Sequence, residues 1–212
     1  MPKLKINIIT LFPKLFEEFK NVLPFKRAIE KDLIELNIIN LRDFAIDERG
    51  TVDDKPYGGG TGMILRIEPL VEALENIKDK EEVIVLNPKG KIFNQNLAND
   101  LKNKNSLTFI CGRYEGIDQR FIDNYSTQEI SVGEYVCSGG EAPTIVMLEA
   151  ILRLLPEVLD EEVTSKESFQ DEMKSEYPQY TRPENFNGLK VPDVLISGNH
   201  KEIENWKKQN SK

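Results

Sequence analysis

The sequence predicts an α/β protein with a mainly parallel sheet and helices on both of its faces. Apolar strand-like runs alternate with helix-like segments over the first 155 residues, and this alternation is typical of parallel sheets with crossover helices. Three of the runs are followed by loops rich in glycine or proline, and such sheets bind ligands at these loops. At 212 residues, the chain is long enough for one large domain, alone or with a small appendage.

Five apolar runs are predicted to be strands. They are short and rich in isoleucine, leucine or valine, and polar or glycine-containing segments bound them. In chain order they cover residues 5–11, 34–41, 83–86, 106–112 and 129–133.

Helices are predicted between and after these strands. Residues 12–22 carry apolar side chains at helical spacing, and residues 94–101 form a short helix. A further helix covers residues 69–77, because Pro69 suits a position in the first helical turn. Residues 142–155 predict a helix that is apolar on nearly every face, which indicates burial between other elements or at a subunit interface.

The composition changes after this apolar helix. Residues 157–176 contain eight acids and two lysines, and therefore hold −6 of the net charge of −8. We predict that residues 159–178 form a flexible acidic linker. Residues 179–212 form a small C-terminal element that ends in a helix at residues 200–209, with Asn199 as its N-cap.

Charge and composition narrow the function classes. The acidic balance gives no support for a nucleic-acid partner, but it does not exclude one because so much of it lies in one segment. No apolar run approaches the ~18 residues of a membrane span, and the N-terminus lacks a secretory signal, so we expect a cytoplasmic protein. Cys111 and Cys137 match no metal spacing, His200 is the only histidine, and G-x-S-x-G is absent; these features argue against a zinc site or a hydrolase.

Two glycine-containing stretches that precede the last predicted strand are candidates for ligand loops. "KPYGGGTGM" lacks the Gly-Lys-Ser/Thr ending of a phosphate loop, but the clustering of Asp53, Asp54, Tyr57 and Arg66 favours a functional loop. In "CGRYEGIDQR", Asp118 is explained by a helix N-terminus. The helix N-terminus does not explain Glu115. Glu115 follows the end of a predicted strand, and a side chain in such a position projects into the ligand crevice.

Arg153 is a basic residue on the most apolar helix of the chain. One interpretation is an ion pair with Glu149, four residues earlier on the same face. The other is a role in substrate binding, and the spacing leaves both open.

Seven motifs together resemble the bacterial tRNA (guanine-N1)-methyltransferases, the TrmD family. They appear in family order from about Lys5 to Trp206, nearly the whole chain: "INIITLFP", "TVDDKPYGGGTGM", "LNPKG", "ICGRYEGIDQR", "ISVGEYVCSGGEAP", "YPQYTRPE" and "VLISGNHKEIENW".

The resemblance implies the SPOUT fold, an α/β fold whose parallel sheet ends in a deep C-terminal trefoil knot. It assigns residues 1–158 to the cofactor-binding and catalytic domain and residues 179–212 to a small helical subdomain that binds tRNA. It also implies S-adenosylmethionine as the methyl donor, held by the loops at residues 86–90, 112–116 and 132–143. The predicted cofactor-binding residues are Leu86, Asn87, Pro88, Gly112, Val132, Gly133, Glu134, Tyr135, Val136, Cys137, Gly139, Gly140 and Pro143.

The implied substrate is the guanine at tRNA position 37, preceded by another guanine. Its N1 carries a proton, so methylation needs a general base and a group that stabilises charge on O6. Arg153 matches the family arginine that has the second role. Glu167, in "KESF", stands where the family has an aspartate base, and Asp171 is an alternative base. The predicted substrate-binding residues are Asp53, Tyr57, Gly58 and Gly59.

The resemblance also implies a homodimer with an active site shared between subunits. Glu115 matches a family acid near the cofactor and near a Mg²⁺ ion linked to turnover; no protein ligands for a metal are predicted. Family members continue beyond the position of Lys212. The earlier end of this sequence is compatible with weaker tRNA binding or with excision from a longer polypeptide. Two alternatives stay open: another SPOUT RNA methyltransferase, or a catalytically weak dimeric module that binds RNA and cofactor.

Overall fold

A computed structural model describes residues 2–160 and 176–211 of the chain. The chain divides into two compact units, residues 1–159 and residues 160–212. No helix in these described ranges is long and apolar enough to cross a membrane.

The first unit contains a five-stranded sheet in which every neighbouring pair of strands is parallel. The spatial order of its strands is β2-β1-β6-β5-β7, so the α/β class and the five predicted strands are confirmed. Two short strands form a separate antiparallel hairpin. The strands are β1 (Leu4–Thr10), β2 (Ile34–Asn40), β3 (Asp53–Asp54), β4 (Ile64–Leu65), β5 (Glu82–Ile92), β6 (Ser106–Ile110) and β7 (Gln128–Ser131).

Six α-helices and two 3₁₀ turns accompany these strands in the described part of the first unit. The 3₁₀ turns cover Glu18–Asn21 and Leu41–Phe44. The helices are α1 (Lys14–Glu17), α2 (Phe25–Glu30), α3 (Ile67–Glu75), α4 (Gln95–Leu101), α5 (Gln119–Tyr125) and α6 (Glu141–Leu152).

Successive side chains along a strand point to opposite faces of the sheet, and the apolar ones form two cores, one on each face. Ile6 and Ile8 of β1 pack with residues of α2, α4 and α6, whereas Ile9 packs with residues of α3 and α5. The central strand β6 is buried along its whole length. Helices therefore cover both faces, as the sequence predicts.

The helix predicted at residues 12–22 is wrong in extent. Only the four residues of α1 are α-helical, a 3₁₀ turn follows, and Phe12 and Leu15 stay 45% and 47% exposed. Pro24 prevents these turns from continuing into α2 as one helix, because a proline disfavours helical backbone at the residue before it.

The apolar helix α6 has one buried side and one outward side. It ends at Leu152, three residues earlier than predicted, with Arg153 as its C-cap. Met147 and Leu148 are fully buried, while Val146 is 52% exposed. Burial against other elements is therefore confirmed for one side of the helix only.

Strand β5 does not end at Leu86 as predicted. Its pairing with β7 shifts between Leu86 and Lys91, so residues 87–90 bulge out of the ladder before pairing resumes. Proline has no N–H for a ladder hydrogen bond, so a proline inside a strand favours such an irregularity, and Pro88 lies in this segment.

The second unit contains a β-hairpin and two helices among its described residues. The helix predicted at residues 200–209 is confirmed, and the Asn199 side chain accepts the N–H of Glu202 at 3.4 Å as its N-cap. The hairpin was not predicted, although Asn187 and Gly188 at its turn both have positive φ, which Asn-Gly turns favour. Its elements are β8 (Asn185–Phe186), β9 (Leu189–Lys190), α7 (Asp193–Ile196) and α8 (His200–Asn210).

Candidate functional site

A cavity of about 350 Å³ is lined by the bulged segment of β5 and by the loops that leave the carboxyl ends of β6 and β7. This volume lies within the range of small-molecule sites in proteins. Of the thirteen predicted cofactor-binding residues, Gly133 and Glu134 do not line the cavity, although they belong to the loop that does. The other eleven line it: Leu86, Asn87, Pro88, Gly112, Val132, Tyr135, Val136, Cys137, Gly139, Gly140 and Pro143.

The loop after β7 folds back on itself around an aromatic ring. The Ser131 hydroxyl and the Tyr135 N–H both donate to the carbonyl of Gly133, each at 2.9 Å. The Tyr135 hydroxyl donates to the carbonyl of Val132 at 3.3 Å. A side chain at Gly133 would overlap the Tyr135 ring, so glycine at this position allows the ring to lie against the loop backbone.

The end of the same loop crosses closely over the turn that follows β6. The Gly140 N–H donates to the carbonyl of Gly112 at 2.9 Å. A Cβ atom at Gly140 would lie 2.7 Å from the Cα of Cys111, which is closer than non-bonded atoms pack. A similar crossing occurs at Gly90, whose Cβ would lie 2.5 Å from the backbone of Glu129 and Ile130.

Beneath this crossing, Cys111 is fully buried and its thiol lies 3.4 Å from the Thr144 hydroxyl. Burial raises the pKa of Cys111 far above its ordinary value, and the nearby negative charge of Glu141 raises it further. The thiol is therefore neutral and serves as a packing group.

The turn after β6 presents Glu115 to the cavity. Tyr114 has a φ of 59°, an uncommon conformation for a residue other than glycine and one that often occurs at functional sites. The Glu115 N–H donates to the carbonyl of Met63 at 2.9 Å, and a Cβ at Gly62 would lie 2.5 Å from the Glu115 side chain. Glu115 thus lies between the cavity and the glycine-rich loop of residues 55–62.

The four predicted substrate-binding residues do not line the cavity. Asp53 pairs with Leu65 at the base of the β3–β4 hairpin. Tyr57 is fully exposed, and Gly58 and Gly59 have open space around them. The structure therefore places this loop at the rim of the cavity, joined to it through the contact between Gly62 and Glu115.

Charged groups fasten the base of this hairpin. Arg66 bridges Asp54 and Glu68 with contacts of 2.7 Å each, and its hydrogen bond lowers the pKa of Glu68 below the ordinary value.

Asp118 caps α5, as the sequence predicts, and the hydrogen bond from Arg120 lowers the pKa of the Asp118 carboxyl group.

Arg153 does not line the cavity of its own chain. It follows Pro143, at the cavity wall, by ten residues of α6, which is ~15 Å along a helix axis. Partial burial raises the pKa of Glu149, and the charge of Arg153 acts in the opposite direction. The charge of Arg153 therefore acts on Glu149, while the ion pair and the substrate role both stay predictions.

Glu167 and Asp171, the two candidate bases, lie outside the described residues. Within residues 2–160 and 176–211, no group of three or more His, Cys, Asp or Glu side chains could hold a metal ion.

Sequence reasoning overlooked two residues that shape the site. Tyr114 lines the cavity, and its motif was identified without a role for the tyrosine. Glu141 is buried, with a relative exposure of 2%, directly after the two glycines of the crossing. An acid at the start of an otherwise apolar helix was the available signal.

Three known proteins are similar to this chain over nearly its whole length. The chain is 50% identical to a tRNA (guanine-N(1)-)-methyltransferase of Carboxydothermus hydrogenoformans over 98% of this chain and 83% of the relative. It is 48% identical to the enzyme of that name from Dictyoglomus turgidum, over 97% and 84%. It is 45% identical to the one from Clostridioides difficile, over 98% and 92%.

A family model described as tRNA (Guanine-1)-methyltransferase TrmD matches residues 4–212. This range includes the parallel sheet, the three loops around the cavity and the hairpin at its rim. The chain therefore belongs to the TrmD family of tRNA (guanine-1)-methyltransferases.

Proposed function

We propose that this chain transfers a methyl group from S-adenosylmethionine to N1 of the guanine at tRNA position 37. The observation that carries the proposal is the cavity itself: three loops that bear the family motifs converge on one small-molecule-sized site. Membership of a tRNA (guanine-1)-methyltransferase family supports the reaction type and the tRNA substrate.

S-adenosylmethionine fits the residues around the cavity. Leu86, Ile130 and Pro143 offer apolar surface, and the glycine-rich loops leave backbone polar groups accessible. Glu115 lines the cavity, and its negative charge would favour a cationic ligand. When bound, the cofactor supplies an electrophilic methyl group on a positively charged sulfur.

Residues of this chain handle the proton and the charge of the guanine. We propose Glu167 as the general base at N1, with Asp171 as the alternative, because alkylation of N1 requires loss of its proton. Arg153 stabilises the negative charge that develops on O6. The loop at residues 55–62, with Asp53, Tyr57, Gly58 and Gly59, contacts the tRNA at the rim of the cavity.

A homodimer with shared active sites explains the position of Arg153. This residue lies too far along α6 to line the cavity of its own chain. The outward side of α6 exposes Ala142 and Val146, and an apolar helix surface of this kind favours contact with a second subunit.

The close crossings at the glycines support a trefoil knot in the first unit. Gly90, Gly139 and Gly140 each pass a neighbouring chain segment without space for a side chain, as a threaded chain requires. We further propose that residues 179–212 form a tRNA-binding subdomain, that turnover needs a weakly held Mg²⁺ near Glu115, and that the protein acts in the cytoplasm.

A methyl-transfer assay tests the function. Tritiated S-adenosylmethionine and the enzyme are incubated with a tRNA transcript that carries guanine at positions 36 and 37. Control transcripts replace either guanine with adenine. We expect label in the first transcript only, at N1 by nuclease digestion and chromatography. Label at another atom, or in no transcript, contradicts the proposal.

Mixed dimers test the roles of Glu167 and Arg153 together. We expect Glu167→Gln and Arg153→Ala each to abolish turnover while both still bind S-adenosylhomocysteine. If one site takes these residues from different subunits, coexpressed variants recover about one quarter of wild-type activity, because half of the random dimers hold one intact site. Normal turnover by Glu167→Gln alone would refute its role and direct attention to Asp171.

A further inference from the structure

A buried polar cluster joins three distant segments of the first unit. It consists of Thr10 at the end of β1, Arg113 in the turn after β6, and Glu141 in the first turn of α6. The Arg113 Nε donates to Glu141 at 2.9 Å, and the Thr10 hydroxyl donates to the second carboxylate oxygen at 2.8 Å. Glu141 and Thr10 are 2% and 0% exposed.

Arg113 is held on several sides besides this ion pair. Its guanidinium donates to the carbonyl of Ser138 at 3.2 Å and lies 4.4 Å from the centre of the Phe12 ring. Its backbone forms a bridge with Gly139. One arginine therefore contacts the loop after β7 through its side chain and through its backbone.

Charged groups in this position are costly unless both partners are present. The Glu141 side chain is 2% exposed and that of Arg113 is 22% exposed, so the larger penalty of breaking this ion pair falls on an unpaired Glu141 carboxylate. The N-terminus of α6 additionally favours a negative charge at Glu141. Truncation of the Glu141 side chain removes the acceptor that holds the Arg113 Nε, and it would therefore release Arg113 and, with it, the carbonyl of Ser138.

The geometry points to Glu141 as a positioning residue for the cofactor site. Through Arg113 it holds the loop of residues 132–140 against the turn of residues 112–116, and so keeps both walls of the cavity in place. It does not itself line the cavity. The identity of the ligand, a nucleoside that carries an amino-acid chain on sulfur, rests on the proposed function.

Hydrogen exchange of the unliganded protein tests this role without any ligand. Glu141→Ala removes both hydrogen bonds, whereas Glu141→Gln keeps an oxygen for Arg113 and an amide for Thr10. Leu101→Ala, in the buried face of α4, controls for loss of stability alone. We expect faster exchange at residues 132–140 in Glu141→Ala only. Equal protection in all variants would refute the positioning role.

Titration with S-adenosylhomocysteine by calorimetry provides the second measurement. We expect Glu141→Ala to weaken binding about tenfold or more, Glu141→Gln to stay within about threefold of wild type, and Leu101→Ala to bind normally. Equal weakening in Glu141→Ala and Leu101→Ala would show a general stability effect and overturn the inference. Failure of the wild type to bind would instead refute the proposed function, while the exchange result would still stand.

Discussion

The two glycine-rich loops of the first unit use the same residue for opposite reasons. In the loop at residues 55–62, Gly58 and Gly59 have positive φ angles and nothing near them. In the loop at residues 132–140, Gly139 and Gly140 have ordinary φ angles, and a side chain on either would strike Arg113 or the Cys111 backbone. The first loop needs conformational freedom, and the second needs close approach.

This difference shows what each loop can do. A loop surrounded by open space can adapt to a large partner, and the full exposure of Tyr57 is consistent with such a role. A loop packed against two neighbouring strand ends holds a fixed shape and suits a small ligand of defined geometry. Composition alone does not distinguish the two, since both appear in the sequence as glycine clusters.

The largest effect is expected for Gly140→Ala. Its Cβ would lie 2.7 Å from the Cα of Cys111, and backbone atoms on both sides must move to relieve the overlap. We expect the affinity for S-adenosylhomocysteine to fall about a hundredfold, measured by calorimetry on protein that is folded by circular dichroism. Unchanged affinity would show that the crossing does not shape the site.

Gly62→Ala should have an intermediate effect, because Gly62 belongs to the open loop but lies against Glu115 in the turn after β6. Its φ is 87° and a Cβ would lie 2.5 Å from the Glu115 side chain. Left-handed backbone costs ~1–2 kcal/mol in a residue other than glycine, and Glu115 must also move. We expect kcat to fall at least tenfold, with little change in the affinity for S-adenosylhomocysteine, whose sulfur carries no positive charge. An unchanged kcat would separate Glu115 from turnover.

Gly59→Ala, the matched control in the open loop, should change much less. Its φ is 83° but no atom lies within 4 Å of the added Cβ. The strain of ~1 kcal/mol affects only the loop conformation, so we expect the KM for tRNA to rise about fivefold and the cofactor affinity to stay constant. A loss of cofactor affinity in this variant would remove the distinction between the loops.

The smallest perturbation is chemical labelling of the two thiols at pH 8. Cys111 is buried with a raised pKa, so it stays a neutral thiol, whereas Cys137 lines the cavity. We expect one thiol per chain to react with iodoacetamide, and S-adenosylhomocysteine to slow that reaction. Fast reaction of two thiols, or no shielding by the ligand, would contradict the assignment.

The raised pKa of Cys111 also sets a direction for stability against pH. The unfolded thiol ionises near pH ~8.5, while the folded thiol stays protonated. The protonated Cys111 thiol therefore contributes its full stabilisation of the folded state below pH ~8.5, and this stabilisation decreases as the pH rises above that value. We expect the difference in denaturant midpoint between wild type and Cys111→Ala to be smaller at pH 9.5 than at pH 7.

Much of the sheet could be predicted from sequence because the signals are local. β1 and β6 show the apolar composition of buried strands, and the rule that ligands bind at strand ends placed the three loops together. The break between α1 and α2 was missed because the helical spacing of residues 12–22 outweighed Pro24. The bulge in β5 was missed because pairing with β7 resumes only after Gly90.

The polar cluster could not be predicted, since its members lie far apart in the chain. Thr10 and Glu141 are separated by 131 residues, and only the order of strands in the sheet brings them together. Likewise, the distance of Arg153 from the cavity depends on where α6 begins relative to the crossing loop, which no local pattern specifies.

The central claim is that the loops at the strand ends, and not the open glycine loop, bind the methyl donor. Hydrogen exchange of the wild-type protein with and without S-adenosylhomocysteine tests it most directly. We expect protection at residues 86–90, 112–117 and 131–140, with no change at residues 55–62. Protection confined to residues 55–62 would contradict it.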